Sequence, residues 1–264
     1  MTSENLARVR RTEPFIGTWL SIGSPIIAEL AAASGFDWLL FDLEHGAHSD
    51  AVLMGNLQAI KGTSAMPIVR VGAPHPDLIL RALDWGSGGI MLPHVESADE
   101  ARACLQAIHY PPRGRRGISR SARVYDYGLR AMPAPEDLPP PVLFAQIETL
   151  AGVRQVAEIA AVDGVDVLFV GPADLAFDLN VRRNGHTPVY DECLALVARA
   201  ARGAGKQAGI LVRSMDDIPA LRELGFTHFA VESDLGIIRN RYLQMLKRTR
   251  ELCVDPAGRP GGAG

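Results

Sequence analysis

The sequence has few cysteines and no long apolar run. Its three cysteines, Cys104, Cys193 and Cys253, are far apart and show no spacing typical of a metal or redox site, so we expect thiols without a chemical role. No apolar run reaches the ~18 residues that a membrane-spanning helix needs, and the N-terminus lacks the apolar segment of a signal peptide. A cytoplasmic location is the resulting expectation.

The chain also lacks an excess of positive charge. Lys and Arg number 27 against 30 Asp and Glu, a net charge of −3, so we expect no nucleic-acid or membrane partner. Hydrophobic residues make up 47% and charged residues 22%, the balance of a globular protein with a sizeable core. The 264 residues are enough for one large domain, and a (β/α)₈ barrel typically takes roughly 250 residues.

Short apolar runs rich in Val, Ile, Leu and Phe recur along the chain, and each is followed by apolar residues at helical spacing. Because these runs are continuous rather than alternating, they are typical of parallel strands that helices cover on both faces. The sequence therefore predicts eight strands, at Phe15–Leu20, Trp38–Leu43, Pro67–Val71, Gly89–Pro93, Val142–Ile147, Val165–Val170, Ala208–Val212 and Phe226–Val231.

Amphipathic segments between the strands predict helices. They lie at Ile26–Ala33, Ala51–Ile60, Leu78–Leu83, Ala98–Ile108, Val153–Ile159, Tyr190–Ala201 and Met215–Leu224. Such alternation favours an α/β fold, a closed (β/α)₈ TIM barrel. An open doubly wound sheet is the alternative, but the Gly-rich dinucleotide turn is missing after the first strand. We expect one domain over residues 1–254 and a disordered tail over 255–264.

One connection is longer than the others. It runs from His109 to Pro141, begins with an arginine-rich stretch and ends with a proline-rich one. Long loops inside compact domains often form lids or subunit contacts. The arginines also leave open a non-catalytic barrel that binds polyanions, although few aromatic residues accompany them for base stacking. They are Arg113, Arg115, Arg116, Arg120 and Arg123.

The active site of a (β/α)₈ barrel lies at the C-terminal ends of its strands, so polar residues directly after the apolar runs are the candidates. They are Asp42, Glu44, His45, Arg70, Glu148 and Asp174. Glu148 and Asp174 follow neighbouring strands, and two carboxylates with waters and substrate oxygens commonly bind Mg²⁺ or Mn²⁺. The alternative is that Glu148 pairs with an arginine while Asp174 caps a helix.

The segment Gly171-Pro172-Ala173-Asp174 favours the functional alternative. Pro172 suits the first turn of a helix. The N–H groups of Ala173 and Asp174 would then point at a substrate carboxylate from the positive end of that helix.

His45 and Arg70 are candidates for acid–base and anion-binding roles. A histidine with a carboxylate partner acts as a general base near neutral pH, and a structural or oligomer-contact role is the alternative for His45. Arg70 ends a strand among apolar neighbours, so its guanidinium must find an anion, either a substrate or a partner such as Glu44 or Asp84. His94 is the next candidate histidine. We interpret the others as loop or surface residues: His48, His75, His109, His186 and His228.

Seven segments, in order, resemble the metal-dependent class II pyruvate aldolases. This HpcH/HpaI aldolase family includes 4-hydroxy-2-oxoheptanedioate aldolase and 2-dehydro-3-deoxyglucarate aldolase, and has a barrel of the phosphoenolpyruvate/pyruvate type. The resemblance runs from Gly17 to Arg239. The segments are Gly35-Phe-Asp-Trp-Leu-Leu-Phe-Asp-Leu-Glu-His, Pro67-Ile-Val-Arg-Val, Tyr110-Pro-Pro-Arg-Gly-Arg-Arg-Gly, Gln146-Ile-Glu-Thr, Val165-Asp-Val-Leu-Phe-Val-Gly-Pro-Ala-Asp-Leu, Gly209-Ile-Leu and Phe229-Ala-Val.

The resemblance implies a role for each candidate. Glu148 and Asp174 ligate a divalent metal ion, Mg²⁺, Mn²⁺ or Co²⁺. His45, steadied by Asp84, acts as base, and Arg70 holds the keto oxygen of the pyruvate unit as it becomes an enolate. The remaining matches are Asp42, near the metal waters, and the pyruvate-pocket positions Gln146, Gly171, Pro172, Ala173 and Leu211.

The implied activity is cleavage of a 4-hydroxy-2-oxo acid or a 2-dehydro-3-deoxy sugar acid to pyruvate and an aldehyde. An acyl-CoA lyase with the same metal and enolate chemistry, acting on citramalyl- or malyl-CoA, is the alternative. No lysine follows a strand where a Schiff base would form, which favours the metal route. Because family members are commonly hexamers, trimers of dimers that exchange the last barrel helix, the resemblance also implies a homo-oligomer.

The sequence departs from the family at three places. Glu232 stands where a glycine is usual, His94 replaces a more apolar residue, and the loop from Arg120 to Pro141 has its own composition. We expect all three near the mouth that receives the aldehyde. They therefore bear on the choice of acceptor more than on the chemistry.

Overall fold

The computed structural model describes residues 7–131, 133–134, 137, 139–183 and 187–253. Eight parallel strands close into a barrel in chain order. They are β1 (Phe15–Leu20), β2 (Trp38–Asp42), β3 (Met66–Arg70), β4 (Gly89–Leu92), β5 (Val142–Ile147), β6 (Val167–Val170), β7 (Gln207–Val212) and β8 (Phe226–Ser233). The predicted closed barrel is confirmed, and each predicted strand end lies within two residues of the observed one. The expected disordered tail and His186 lie outside the described residues.

Helices connect the strands. They are α1 (Pro25–Ala33), α2 (Asp50–Ala59), α3 (Pro76–Asp84), α4 (Ala98–Ile108), α5 (Leu150–Arg154), α6 (Val156–Ala160), α7 (Pro172–Val181), α8 (Tyr190–Gly203), α9 (Ile218–Leu224) and α10 (Asp234–Cys253). The helix predicted over Val153–Ile159 is in fact two short helices, and the one predicted from Met215 begins as a 3₁₀ turn. No helix in the described part of the chain is both long and apolar enough to cross a membrane.

The core has two layers because the strands are apolar on both faces. The outer layer fills the space between sheet and helices. The inner layer fills the barrel, where Trp38 packs against Phe144 with ring centroids 5.6 Å apart and meets Phe169 edge-on at 6.0 Å. A Cβ atom at Gly17 would overlap the Trp38 indole, so this position in β1 excludes a side chain. The filled interior leaves the ends of the barrel for function.

The described parts of the α4–β5 segment, residues 109–141, lie at the N-terminal end of the barrel, where α4 ends and β5 begins. Arg123 donates a hydrogen bond to the Leu57 carbonyl (3.0 Å) and Arg116 donates one to Asp84 (2.6 Å), both near that end. The expectation that the Arg120–Pro141 loop lies near the mouth is therefore wrong within a single chain. The physical reason is that α4 runs the length of the barrel before the loop begins.

His228 is the histidine whose expected location is wrong. It lies within β8 with no exposed surface, beside the rings of Phe15 and Phe144. Its Nδ1 is 2.9 Å from the Thr227 hydroxyl. Because burial penalises the charged imidazolium, the pKa of His228 falls from its usual 6.5 to about 3.

We expect this buried histidine to make the fold acid-sensitive. The pKa of His228 is lower in the folded protein than in the unfolded chain. The free energy of unfolding is therefore highest above pH 6.5 and decreases as the pH falls from 6.5 toward 3. Between pH 8 and pH 5 the loss amounts to about 2 kcal/mol of unfolding free energy. Urea unfolding of His228→Gln should show a shallower pH dependence by that amount, whereas the exposed-residue control His75→Gln should keep the wild-type slope. Equal slopes in all three proteins would contradict the assignment.

Candidate active site

Asp42 and Arg70 form the centre of a polar cluster at the C-terminal end of the barrel. They are paired in register at the ends of β2 and β3. Arg70 Nε and Nη2 donate to the two carboxylate oxygens of Asp42 at 2.9 and 2.7 Å. Trp19 Nε1 donates to the same carboxylate at 3.1 Å, and the Trp19 ring lies 4.7 Å from the guanidinium carbon. A bidentate pair stacked on an indole has a fixed plane and direction.

The electrostatics of this pair follow from its hydrogen bonds. Burial alone would raise the pKa of Asp42, but the bonds from Arg70 and Trp19 outweigh it and hold that pKa below its usual value. Arg70 Nη1 also lies 2.8 Å from Glu44. Arg70 thus has the structural partner Glu44 that the sequence left open, and Asp84 is not its partner. The hydrogen bonds to Asp42 use two of the five guanidinium N–H groups, and the contact with Glu44 is an ion pair without hydrogen-bond geometry, so N–H groups remain for another anion.

His94 links this pair to Glu148. Its Nε2 is 3.3 Å from Glu44, its Nδ1 is 3.2 Å from Glu148, and its backbone N–H donates to Glu148 at 2.7 Å. The residue has a φ of 50°, a left-handed conformation that few residues other than glycine adopt. Its side chain remains half exposed at the opening of the site. The polar contacts therefore run without a break from Trp19 to Glu148.

Glu148 is a buried carboxylate without a fixed positive partner. It is 1% exposed and accepts a hydrogen bond from Gln146 Nε2 at 2.7 Å. Within the described residues, no lysine or arginine lies at ion-pair distance from it. Burial raises the pKa of Glu148 to about 7; the contacts with His94 oppose this rise, and the charges of Asp174 and Glu44 add to it. The alternative in which Glu148 pairs with an arginine does not occur.

The start of α7 lies directly against Glu148. Gly171 is the N-cap and Pro172 stands in the first turn, as the sequence suggested. A Cβ atom at Gly171 would overlap the Glu148 carboxylate and the Gln146 amide, so glycine is required by close approach. Asp174 is exposed and makes no side-chain hydrogen bond within the described residues, which removes the alternative of a helix cap. Its negative charge contributes to the raised pKa of Glu148.

These groups fit a divalent cation, although three protein ligands do not converge. Among the described residues, no group of three or more His, Cys, Asp or Glu side chains could hold a metal ion. Two carboxylates are present, and the amide oxygen of Gln146 is buried without a hydrogen-bond partner. Mg²⁺ and Mn²⁺ accept such oxygen donors and retain waters or substrate oxygens at the other positions.

His45 and Asp84 do not meet within one chain. His45 is exposed just beyond β2, and its backbone N–H is 3.3 Å from the Asp42 carboxylate. Asp84 ends α3 at the opposite end of the barrel and bonds to Arg116. The expectation that Asp84 steadies His45 is therefore wrong for an isolated chain. The separation follows from the fold, since α3 spans the barrel between the two ends.

Trp19 is a site residue that the sequence reasoning missed. It is the second-last residue of β1 and lies inward, in the barrel cluster against which half-buried Leu211 packs. The signal was available: Phe15, Gly17 and Trp19 alternate on the inner face, so the last of them reaches the active-site end. An inward aromatic side chain with an N–H donor, next to the carboxylate that ends the neighbouring strand β2, predicts such a contact.

Glu232 lies at the same end of the barrel, as the second-last residue of β8. It has a φ of 56°, a left-handed backbone conformation that glycine, the residue that the resemblance implies here, adopts without strain. The Thr18 hydroxyl is 3.3 Å from its carbonyl oxygen. Its carboxylate contacts Gly236 in the first turn of α10 so closely that no side chain fits there. A negative charge at a helix N-terminus is stabilised by the helix dipole, which gives Glu232 a structural role.

Comparison with known proteins identifies the family of the chain. The hydroxypyruvate/pyruvate aldolase of Delftia acidovorans is 37% identical over 251 residues, covering 92% of this chain and 91% of that protein. The 5-keto-4-deoxy-D-glucarate aldolase of Escherichia coli is 37% identical over 225 residues, covering 85% and 88%. The crystal structure of an HpcH/HpaI aldolase/citrate lyase family protein from Burkholderia cenocepacia has a TM-score of 0.86 and 34% identity, and covers 94% of this chain and 100% of that one. Residues 16–240 match the sequence model of the HpcH/HpaI aldolase/citrate lyase family, and the chain therefore belongs to this family.

Proposed function

We propose that this aldolase, a carbon–carbon lyase, uses a divalent cation to cleave a 4-hydroxy-2-oxo acid or a 2-dehydro-3-deoxy sugar acid into pyruvate and an aldehyde. The observation that carries the proposal is Glu148, a fully buried carboxylate that lacks a lysine or arginine partner in the described chain and whose pKa the charge of Asp174 raises further. Burying such a charge is costly unless a cation offsets it. The named activities of the relatives support the substrate class.

In this proposal Glu148 and Asp174 hold the cation, and Gln146 offers its unpartnered amide oxygen to the same region. The bound cation, Mg²⁺, Mn²⁺ or Co²⁺, supplies positive charge that stabilises the enolate oxygen as it forms. Asp42 is committed to Arg70 and Trp19, so we assign it to orienting Arg70.

The substrate is held by N–H groups from two sides. The backbone N–H groups of Ala173 and Asp174, in the first turn of α7, receive the carboxylate of the pyruvate unit. Unused N–H groups of Arg70 receive its keto oxygen. Pro172 and Leu211 line this pocket together with Gly171. Because Asp42, Glu44 and Trp19 already fix the guanidinium, it need not reorganise as negative charge develops on that oxygen.

Bond cleavage then needs one base. His45 accepts the proton of the substrate's 4-hydroxyl, the bond between C3 and C4 breaks, and the aldehyde leaves. The electron pair of that bond passes into the enolate of pyruvate, whose charge Arg70 faces. The proton that His45 has accepted then passes to C3, directly or through water, which gives pyruvate and restores the neutral base. His45 suits this step because its exposed side chain lies at the mouth, just beyond Asp42.

If Asp84 is to steady His45, a second copy of the chain must supply it. We propose that the active site forms between subunits, with Asp84 of one copy against His45 of another. Two observations support this. Asp84 is partly exposed at the N-terminal end of the barrel, and only its Oδ1 is bonded to Arg116. One barrel end docking onto the mouth of another buries both groups.

The last helix supports a homo-oligomer, for which we propose the hexamer, a trimer of dimers, that the resemblance implies. Along its 20 residues, α10 buries only Asp234 and Gly236. Its apolar side chains are exposed, and so are Ile26 and Leu30 on α1, which in a barrel normally packs against the last helix. Exposed apolar side chains of this number mark a contact surface. They include Leu235, Ile237, Tyr242, Leu243, Met245, Leu246 and Leu252.

Activity with and without metal tests the proposal. Purified protein treated with EDTA should release no pyruvate from 4-hydroxy-2-oxo acids or 2-dehydro-3-deoxy sugar acids, and Mg²⁺, Mn²⁺ or Co²⁺ should restore turnover by a factor of at least about 10³. Pyruvate is measured with lactate dehydrogenase and NADH. Full turnover in EDTA would refute the metal route, and turnover of citramalyl- or malyl-CoA without turnover of the free acids would replace the aldolase substrate class with an acyl-CoA one.

A further inference from the structure

The loop between β2 and α2 carries His45 at the mouth of the barrel. It comprises Leu43 to Ser49. Within the described residues the side chain of His45 makes no hydrogen bond or ion pair, and its backbone N–H lies 3.3 Å from the Asp42 carboxylate. The conformation of the loop backbone therefore sets where the His45 imidazole lies.

Asp42 anchors this loop through both its side chain and its backbone. Its carboxylate, which Arg70 holds in place, accepts the N–H of Glu44 at 3.0 Å and that of His45 at 3.3 Å. Its carbonyl oxygen accepts a hydrogen bond from His48 Nδ1 at 3.0 Å. The loop is thus attached to the strand end at its start and near its finish, and His45 lies between the two attachments.

The surroundings of His48 fix its role in this contact. Its ring meets the Phe41 ring edge-on, with the centroids 6.0 Å apart. Burial lowers the pKa of His48, although the hydrogen bond to Asp42 and the charges of Asp42 and Asp234 oppose this, so the ring is uncharged at neutral pH and has one N–H group. A carbonyl oxygen only accepts, which places the N–H on Nδ1; within the described residues, Nε2 is buried without a partner. His48 therefore donates one hydrogen bond, and the Asp42 carbonyl receives it.

Two further contacts make the closed loop compact. A Cβ atom at Gly46 would overlap the Asp42 carbonyl oxygen and lie 3.0 Å from His48 Nδ1, so a glycine is required for the backbone to pass this hydrogen bond. The Ala47 N–H donates to the Ser21 carbonyl at 2.8 Å, which joins the loop to the segment after β1. The loop is therefore a tight turn that a side-chain donor, His48, closes.

We propose that His48 is a positioning residue for the reaction: by closing the loop onto Asp42, it holds the His45 imidazole where the 4-hydroxyl of the substrate is bound. The inference rests on the proposed function, because it takes His45 as the base. A base acts only within hydrogen-bonding reach of the proton that it removes, and a misplacement of about 1 Å can cost about 10²-fold in rate. His48 touches neither the substrate nor the cation and acts through His45.

Two substitutions of equal shape test the hydrogen bond in the full-length protein. His48→Asn keeps an N–H donor at the position of Nδ1, whereas His48→Leu has the same branched shape without a donor. We expect kcat for pyruvate release to fall at least about tenfold in His48→Leu and to stay within about twofold of the wild type in His48→Asn. KM for the oxo acid and Mn²⁺ affinity should be unchanged in both. His75→Leu, at the exposed N-cap of α3 on the same end of the barrel, is the matched control and should change none of these quantities.

A double-mutant cycle with His45→Ala shows whether His48 acts through His45. In that background His48→Leu should lower kcat no further, since the base that it positions is absent. An equal fall in both backgrounds would overturn the proposal, because His48 would then act through the fold or through Glu44, which pairs with Arg70 from the same loop. Wild-type kcat in folded His48→Leu, or a loss in His48→Asn as large as in His48→Leu, would overturn it as well.

Hydrogen–deuterium exchange tests the closed loop without using the reaction. The peptide that contains Glu44 and His45 should exchange faster in His48→Leu than in the wild type or in His48→Asn, because its N–H groups lose protection when the loop opens. Unchanged exchange would overturn the proposal. Should His48→Leu fail to fold, His48→Ala removes the ring without adding an apolar side chain and takes its place. A wild-type protein that releases no pyruvate with metal would refute the proposed function and the role of His45 with it, a result distinct from an active enzyme whose kcat does not depend on His48.

Discussion

Glu148→Gln is expected to abolish metal binding and lower kcat/KM for aldol cleavage by at least about 10³-fold, since it removes one of two anionic ligands from a site without other fixed ligands. The change is nearly isosteric. The new amide oxygen still accepts the His94 N–H, and the Gln146 amide, whose oxygen has no partner, can turn over to face the new NH₂ group. Mn²⁺ affinity, measured from the EPR signal of free Mn²⁺, should fall together with activity.

The same variant should be more stable than the metal-free wild type above neutral pH. The pKa of Glu148 is raised in the folded protein, so its contribution to stability is present at low pH and is lost as the pH rises through about 7. Replacing it by a neutral amide removes that penalty, and the midpoint of thermal unfolding in EDTA at pH 8 should rise. Loss of activity with gain of stability cannot come from misfolding.

Glu158→Gln, on the exposed side of α6, is the matched control and should change neither activity nor Mn²⁺ affinity. If Glu148→Gln binds Mn²⁺ as tightly as the wild type, Glu148 is not a ligand and the proposed metal centre is wrong. A fall in activity with no change in metal binding would instead assign Glu148 to the substrate.

The sequence predicted the barrel because its signal is local and repeated. Each strand is a continuous apolar run, and the C-terminal ends of parallel strands meet on one face, so Asp42, Arg70 and Glu148 were located without knowing any contact. Chain order also limited the topology to neighbours, since βα units are right-handed and wind in one direction. Because each apolar run marks its own strand, the predicted strand ends differ from the observed ones by no more than two residues.

Contacts between side chains were not predictable in this way. The sequence offered Glu44 or Asp84 as the partner of Arg70, whereas the register of β2 and β3 places Asp42 directly opposite Arg70. Trp19 was missed because an aromatic residue in an apolar run is normally read as core. Asp84 was assigned by resemblance alone. A pattern within one chain cannot show which residues of another subunit lie beside Asp84.

The second large effect that we expect is the restoration of activity in mixed oligomers. It follows from the position of Asp84 at the barrel end opposite His45. His45→Ala should lower kcat by about 10²-fold or more through loss of the base, and Asp84→Asn should lower it through loss of the group that orients His45. If one site takes His45 from one chain and Asp84 from another, random mixing of the two variants makes both residues native in about a quarter of the sites. Co-expressed chains with different tags, purified through both tags and checked for mass, should recover about that fraction of wild-type activity.

The control separates shared sites from simple stabilisation by a partner. His45→Ala mixed with Arg70→Lys should restore no activity, because both residues belong to the same chain's barrel end: a site with native His45 then carries the Lys, and a site with native Arg70 lacks the base. If the His45→Ala and Asp84→Asn mixture also stays at the activity of its parents, Asp84 acts only on Arg116 within its own chain. The active site would then be complete within one barrel, and His45 would depend on the strand end alone for its orientation.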